Sequence, residues 1–341
     1  MGSSPVRSTS IARALRRAVL LSLTAPTLAC GETHDLGLDG GTRECVLAEA
    51  RAPGGLCGTE LTFSLLGPAS ACAPDDAGST TQCGELCSSF EGRPGTCTVY
   101  TDDAGGHVVC AYPLCSVGRR PEGLASPTFD GPSLAALYLA EVSYLEAASV
   151  DAFETLTREL DVYDAPAGLR AASRRAAHDE VRHAQVLKKL AERAGARVPA
   201  VTIDRREVRP LEDMAIDNAV EGCVRETFGA AIAMIQAQRA RDAGVRRVMQ
   251  RIARDETRHA ELSWALARWL DTKLDVDGRR RVQQARTRAV EALWGEAAHE
   301  PDASLTENLG IPSASQAHAV LDQLSSTLWC EPHSFETTSG A

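Results

Sequence analysis

The sequence predicts a mainly α protein: a four-helix bundle of two antiparallel hairpins joined by a long crossover, with helices added at its C-terminal end. A small disulfide-rich β/coil domain precedes the bundle. Three observations carry this reading. The hexapeptide Asp179-Glu180-Val181-Arg182-His183-Ala184 returns as Asp255-Glu256-Thr257-Arg258-His259-Ala260. Each copy lies in an alanine-rich stretch of helical length. Cysteines crowd instead into the first third of the chain, where no helical period is sustained.

A chain of 341 residues suits two or three domains. Its hydrophobic fraction of 44% can fill a core, and an aromatic fraction of 4% leaves that core to alanine and leucine. The formal net charge of −10 argues against a nucleic-acid surface, which needs clustered positive charge. Arginines alternate with acids along the helical segments, as on a solvated, salt-bridged face.

Residues 1–29 read as an export signal. Arg13, Arg16 and Arg17 precede the apolar run Ala18–Ala29, which is interrupted by small polar residues and Pro26 and is too short for a permanent span. The run ends Thr27-Leu28-Ala29-Cys30-Gly31, similar to a bacterial lipoprotein cleavage box, with Thr27 where leucine is usual. Cys30 is the expected lipidation site.

Residues 30–115 form the cysteine-rich segment. Of eleven cysteines, eight fall between Cys45 and Cys115: Cys45, Cys57, Cys72, Cys83, Cys87, Cys97, Cys110 and Cys115. A dense, even-numbered cluster in an exported chain predicts disulfides, whose connectivity the sequence does not select. Short β-like runs (Leu61–Leu65, Thr96–Tyr100, His107–Cys110) sit between turn residues. So small a domain, poor in large apolar residues, needs such staples at roughly 2–4 kcal/mol each. Residues 116–132, with Gly118-Arg119-Arg120-Pro121, make a Pro/Gly-rich linker.

The bundle is expected over residues 133–275. Ser133 can cap a first helix running to about Leu160, and Asp164 a second that carries Glu180 and His183 and stops near Gly195. Ala196–Arg209, with Pro199, fits a crossover. Pro210 opens a third helix to about Asp242, Gly244 marks the next turn, and a fourth helix runs from Val245 to about Leu274. A C-terminal extension over residues 276–332 holds a helix at Gly278–Ala298, a loop with Pro301 and Pro312, and a helix at Ser313–Trp329. Residues 333–341 read as a disordered tail.

Spacing carries the chemistry. Glu180 and His183, like Glu256 and His259, are three apart and so share one helix face. Glu141 and Glu146 in the first helix are spaced like Glu221 and Glu226 in the third, 80 residues on, close to the 76 that separate the two Glu-x-x-His motifs. This is an internal pseudo-twofold repeat. Carboxylates and imidazoles gathered in a core either shift their pKa or find cations. Two divalent ions would offset four carboxylates, and hard oxygen mixed with imidazole suits iron or manganese better than a thiolate-seeking metal.

Residues of about 134–272 resemble the ferritin-like di-iron carboxylate superfamily. More narrowly, the lipoprotein-like signal, the Cys-rich head, the Gly-Arg-Arg-Pro linker, Glu146-Ala-Ala-Ser-Val and Glu221-Gly-Cys-Val-Arg-Glu226-Thr resemble a group of uncharacterised exported bacterial ferritin-like proteins. The superfamily pattern implies Glu146, Glu180, His183, Glu226, Glu256 and His259 as ligands of two iron ions, or of manganese or a mixed Fe/Mn pair. It implies O2 or peroxide and a reductant as reaction partners. No residue matches a stored-radical tyrosine. Tyr138 and Tyr144 read as packing.

Register chooses between the glutamates of each pair. Antiparallel ligands at one height are equidistant from the turn. Glu146 and Glu180 lie eighteen and sixteen residues from Asp164, whereas Glu141 lies twenty-three away. The same arithmetic about Ala243 favours Glu226 over Glu221. A five-residue error displaces a carboxylate by about 7.5 Å and rotates it by about 140°. Asp179 and Asp255, each just before a motif glutamate, are expected to accept the second N–H of a metal-bound imidazole. Cys223 reads as a buried inert thiol, with a bridge to Cys330 left open.

Three functions follow as alternatives. The first is an exported di-iron oxidoreductase of unassigned substrate, acting at the bacterial cell envelope, outer membrane or periplasm, on a lipid anchor. The second is a non-catalytic iron-handling protein. The third is a surface structural or recognition lipoprotein with a vestigial site. A closed cage is disfavoured, because an anchor and a head would obstruct it. The oligomeric state is left open.

Overall fold

The computed structural model describes residues 8–24, 47–51, 58–65, 96–102, 105–113, 119–125, 127, 129–203, 208–298 and 300–329. The expectations for Cys30, Cys45, Cys57, Cys72, Cys83, Cys87, Cys115 and Cys330, for the side chains of Cys97 and Cys110, and for the 333–341 tail lie outside the described residues. The molecule is mainly helical.

Before the bundle, helix α1 (Ser8–Thr24) is followed by four strands: β1 (Leu47–Arg51), β2 (Gly58–Leu65), β3 (Thr96–Asp102) and β4 (Gly105–Pro113). They form one antiparallel sheet in the order β1-β2-β4-β3, and its register sets Cys97 opposite Cys110. No helix among the described residues is long and apolar enough to cross a membrane. α1 is amphipathic, burying Ile11, Leu15, Ala18 and Val19 at helical spacing. That face joins an apolar cluster with Phe228, Trp264 and Leu321.

Two helical hairpins follow. α2 (Leu134–Val162) is capped by Ser133, whose hydroxyl accepts from Ala136 N at 3.2 Å. α3 (Ala167–Arg193) has Pro166 at its N-cap position, and Asp164 takes a left-handed turn conformation, φ 48°, instead of capping. The short connection makes the helices antiparallel. Ser143 donates to Ala184 O and Thr157 to Ser173 Oγ, so residue numbers fall on one helix as they rise on the other.

The third helix is not one regular α-helix. α4 (Leu211–Asp217) widens into a π-helical stretch (Asn218–Glu226) and resumes as α5 (Thr227–Arg239). α6 (Ala243–Asp271) is capped by Asp242, which accepts from Val245 N at 2.8 Å. Gly244 therefore lies inside the first turn of α6 and does not form the connection. Past α6 come α7 (Val276–Ala297), α8 (Ala303–Leu309), and α9 (Ala314–Leu324) with a π-helical end (Ser325–Trp329). α8 occupies what reads in sequence as a loop between Pro301 and Pro312.

Part of the linker runs along the crossover. Ala125 N donates to Thr202 O, and Arg197 N to Asp130 O. The end of the crossover is tied to α2 by Arg209, whose Nε and Nη2 reach the two oxygens of Glu159 at 2.7 and 2.9 Å. Three apolar clusters fill the interior, one around Leu145, Leu187 and Ile252, one beneath α1, and one around Phe153, Met214 and Leu266.

Candidate metal centre

α2 supplies Glu146, α3 supplies Glu180 and His183, and α6 supplies Glu256 and His259, all buried. One ligand atom from each of Glu146, Glu180, His183 and Glu256 lies within 4.8 Å of the others, a group able to hold a metal ion. Its donors are carboxylate and imidazole, without thiolate.

Both imidazoles turn Nδ1 inward. His183 Nδ1 lies 3.2 Å from Glu146 Oε2, 3.4 Å from Glu256 Oε1 and 3.8 Å from Glu180 Oε2. His259 Nδ1 lies 3.0 Å from Glu180 Oε1 and 3.4 Å from Glu256 Oε1. Their outer nitrogens cross over. His183 Nε2 meets Asp255 Oδ2 at 3.1 Å, and His259 Nε2 lies 3.5 Å from Asp179 Oδ2. Each aspartate thus faces the histidine of the other hexapeptide. The motif arginines hold the aspartates: Arg258 Nη2 donates to Asp179 at 3.0 Å and to Asp255 at 2.7 Å, and Arg182 pairs with Asp179.

Glu226 is fully buried beside this group but has partners of its own. Arg119 Nε donates to its Oε1 at 3.2 Å and Ser263 Oγ to its Oε2 at 2.6 Å. Arg119, 2% exposed, also donates to Asn218 Oδ1 and Ser263 Oγ, sits 3.6 Å from Asp217 and lies over the Phe153 ring. Gly222 makes room for it. A Cβ there would fall 2.4 Å from Arg119 Nη2 and 2.6 Å from Ser263 Oγ. The π-helical stretch carries Asn218, Gly222 and Glu226, the residues that form this socket.

The titration pattern follows from burial and crowding. Burial and the neighbouring Glu180 push Glu146 well above the usual carboxylate range. Glu180 is held below that range: burial opposes this, but its close contacts with Glu146, His183 and His259 prevail. Burial works to lower both histidines, yet the carboxylates around them raise both. Burial lifts Glu226 to about 7 against the pull of Arg119. Asp179, despite burial, is held at about 2 by His259 and Arg258.

Glu141 and Glu221 stand apart, near Arg120, whose backbone N–H donates to Glu221 Oε2 at 3.3 Å. Tyr144 donates to Ala125 O at 2.7 Å, and Tyr138 is buried in the apolar core. Cys223 is a free thiol, pushed up to about 12 by burial.

Sequence reasoning missed Arg119, Asn218, Ser263 and the two motif arginines. Arg182 and Arg258 had a signal, since both recur inside the hexapeptide. Arg119 had only the Gly-Arg-Arg-Pro string, in a segment with no helical period. Comparison with family models, curated proteins and solved structures returns no match for this chain.

Proposed function

We propose that the chain is an exported, lipid-anchored, ferritin-like protein whose centre of Glu146, Glu180, His183, Glu226, Glu256 and His259 holds two iron ions. Manganese, or iron with manganese, would suit the same donors. We infer an O2- or peroxide-dependent oxidoreductase that draws on a reductant.

One observation supports the metal above all. Glu146 Oε1, both oxygens of Glu180 and Glu256, and both nitrogens of His259 are buried and make no hydrogen bond among the described residues. A buried polar atom without a partner costs about 1–3 kcal/mol. Together such atoms would consume a typical stability of roughly 5–15 kcal/mol. Cations in their midst remove the deficit. Each carboxylate oxygen has two lone pairs, so Glu226 can serve Arg119 and a cation together. The outward contacts from Nε2 to Asp255 and Asp179 leave Nδ1 of each histidine as the donor.

When bound, two irons supply paired one-electron redox capacity to O2 or peroxide. The chain's own part is to fix the donors, exclude water with the Phe153 and Leu266 cluster, and cancel one carboxylate charge through Arg119. Metal analysis of the chain purified without chelator tests the reading. About two metal ions per chain, lost in a folded Glu180→Ala, Glu256→Ala variant, are expected. Folded wild-type chain that takes up neither iron nor manganese overturns it.

A further inference from the structure

A cleft of about 300 Å³ opens between α3 and α6, with His183 in its inner wall. Four arginines line it, Arg182 and Arg193 from α3 and Arg247 and Arg251 from α6, over an apolar floor of Val186, Val248 and Ile252. All four guanidinium-bearing residues are exposed.

The nearby acids do not neutralise these cations. Asp179 serves Arg182, Arg258 and His259, and Asp255 serves His183 and Arg258. Asp242 is close enough to Arg193 and Arg247 to feel both, but its Oδ1 caps α6. Glu192 faces Lys188. Among the described residues, Arg193, Arg247 and Arg251 have no carboxylate in ion-pair contact. Three such guanidiniums around a concave, part-apolar surface, beside a buried centre, are poorly explained by solvation alone.

We propose that this cleft binds a small organic carboxylate with a short apolar body and presents it to the His183 side of the centre. The arginine forks match a carboxylate in two-pronged fashion, and the valine and isoleucine floor takes the body. The volume is at the small end of the range of about 300–1,000 Å³ typical of ligand pockets, which limits the guest to a small molecule. Charge at the centre agrees. Four carboxylates and Arg119 sum to three negative charges, so two divalent cations leave the centre net positive and attractive to an anion. In assigning the guest to the metal centre, the inference rests on the function proposed above.

The test is ligand-observed NMR with hexanoate, hexylammonium and inorganic phosphate on the full chain, as purified and after chelation, with metal content measured on the same samples. Hexanoate should bind at least about tenfold more tightly than the other two, because only it satisfies both forks and floor. The Arg247→Gln, Arg251→Gln variant should lose about tenfold or more of that affinity while keeping its metal content, both positions being exposed and without an ion pair among the described residues. Hexanoate affinity unchanged in that variant, or matched by hexylammonium or phosphate, overturns the cleft assignment whatever the metal content. Wild-type chain that takes up neither iron nor manganese, yet binds hexanoate through the arginines, upholds the cleft and overturns the metal reading instead.

Discussion

His183 Nε2 meets Asp255 Oδ2 at 3.1 Å across the α3–α6 interface, and His259, the histidine of Asp255's own hexapeptide, turns its Nε2 toward Asp179. A crossed pair of this kind fixes both rings against each other and selects Nδ1 as the inward atom in each. Asp255→Asn keeps the volume and removes the charge. We expect metal affinity to fall by about 10–100-fold, the usual loss when a ligand histidine is deprived of its carboxylate. Competition titration against a chromophoric chelator measures it. Unchanged affinity would show that the contact does not orient the ring.

The Arg119–Glu226 pair predicts a second outcome. Arg119→Met removes the charge but keeps most of the volume, leaving Glu226 buried with Ser263 alone. In the metal-free chain the loss should be about 3–5 kcal/mol, as for a buried ion pair broken on one side. Metal should restore part of it, since cations take over the compensation. Thermal melts with and without Co(II) read both effects. Equal destabilisation in the two states would remove Glu226 from the metal environment.

Gly222 gives the sharpest steric test. In an ordinary helix interior, Gly→Ala gains about 1 kcal/mol. Here the added Cβ meets Arg119 Nη2 at 2.4 Å and Ser263 Cβ at 2.7 Å. We expect Gly222→Ala to destabilise by about 1–3 kcal/mol, seen as a lower denaturant midpoint. A stabilised variant would mean that Arg119 does not occupy the socket in solution.

Protonation sets the direction of the pH dependence. Without metal, the carboxylates around His183 and His259 raise both above their ordinary value, and burial raises Glu146, so all three are biased toward keeping their protons. A bound cation must displace them. Affinity should therefore fall as pH falls, by about tenfold per unit for each proton displaced. Dissociation constants at pH 6 and pH 7, or proton release into weak buffer, give the number. A pH-independent constant would contradict the protonated metal-free site.

Much of the bundle was legible because its signals are local or periodic. Ser133 begins a helix, Glu-x-x-His places a carboxylate and an imidazole on one face, and Glu146 differs from Glu141 by more than a turn of register. The π-helical stretch escaped because a wider turn leaves the 3.6-residue pattern on either side nearly intact. Arg119 escaped for a different reason. Its role depends on a pocket made by Asn218, Gly222 and Ser263, distant in sequence, and nothing in its own segment signals burial. Asp164 and Gly244 show how boundary residues mislead. Asp242, two residues before Gly244, caps α6, so the glycine expected to mark the turn lies inside the helix.

The distances along the chain that the centre spans bear on when it forms. His183 and Asp255 are 72 residues apart, and Arg119 and Glu226 are 107 apart. No hairpin holds a complete set of donors with their partners, and the linker guanidinium is held by residues of the π-helical stretch. Contacts of such long separation are assembled late, once the loop-closure entropy has been met by the surrounding apolar clusters. A chain still being synthesised, or threaded unfolded through a pore, therefore carries no finished cation trap. Under the proposed function, the ions it would end up with are those available where folding finishes, so the compartment of folding would help decide which metal the centre takes.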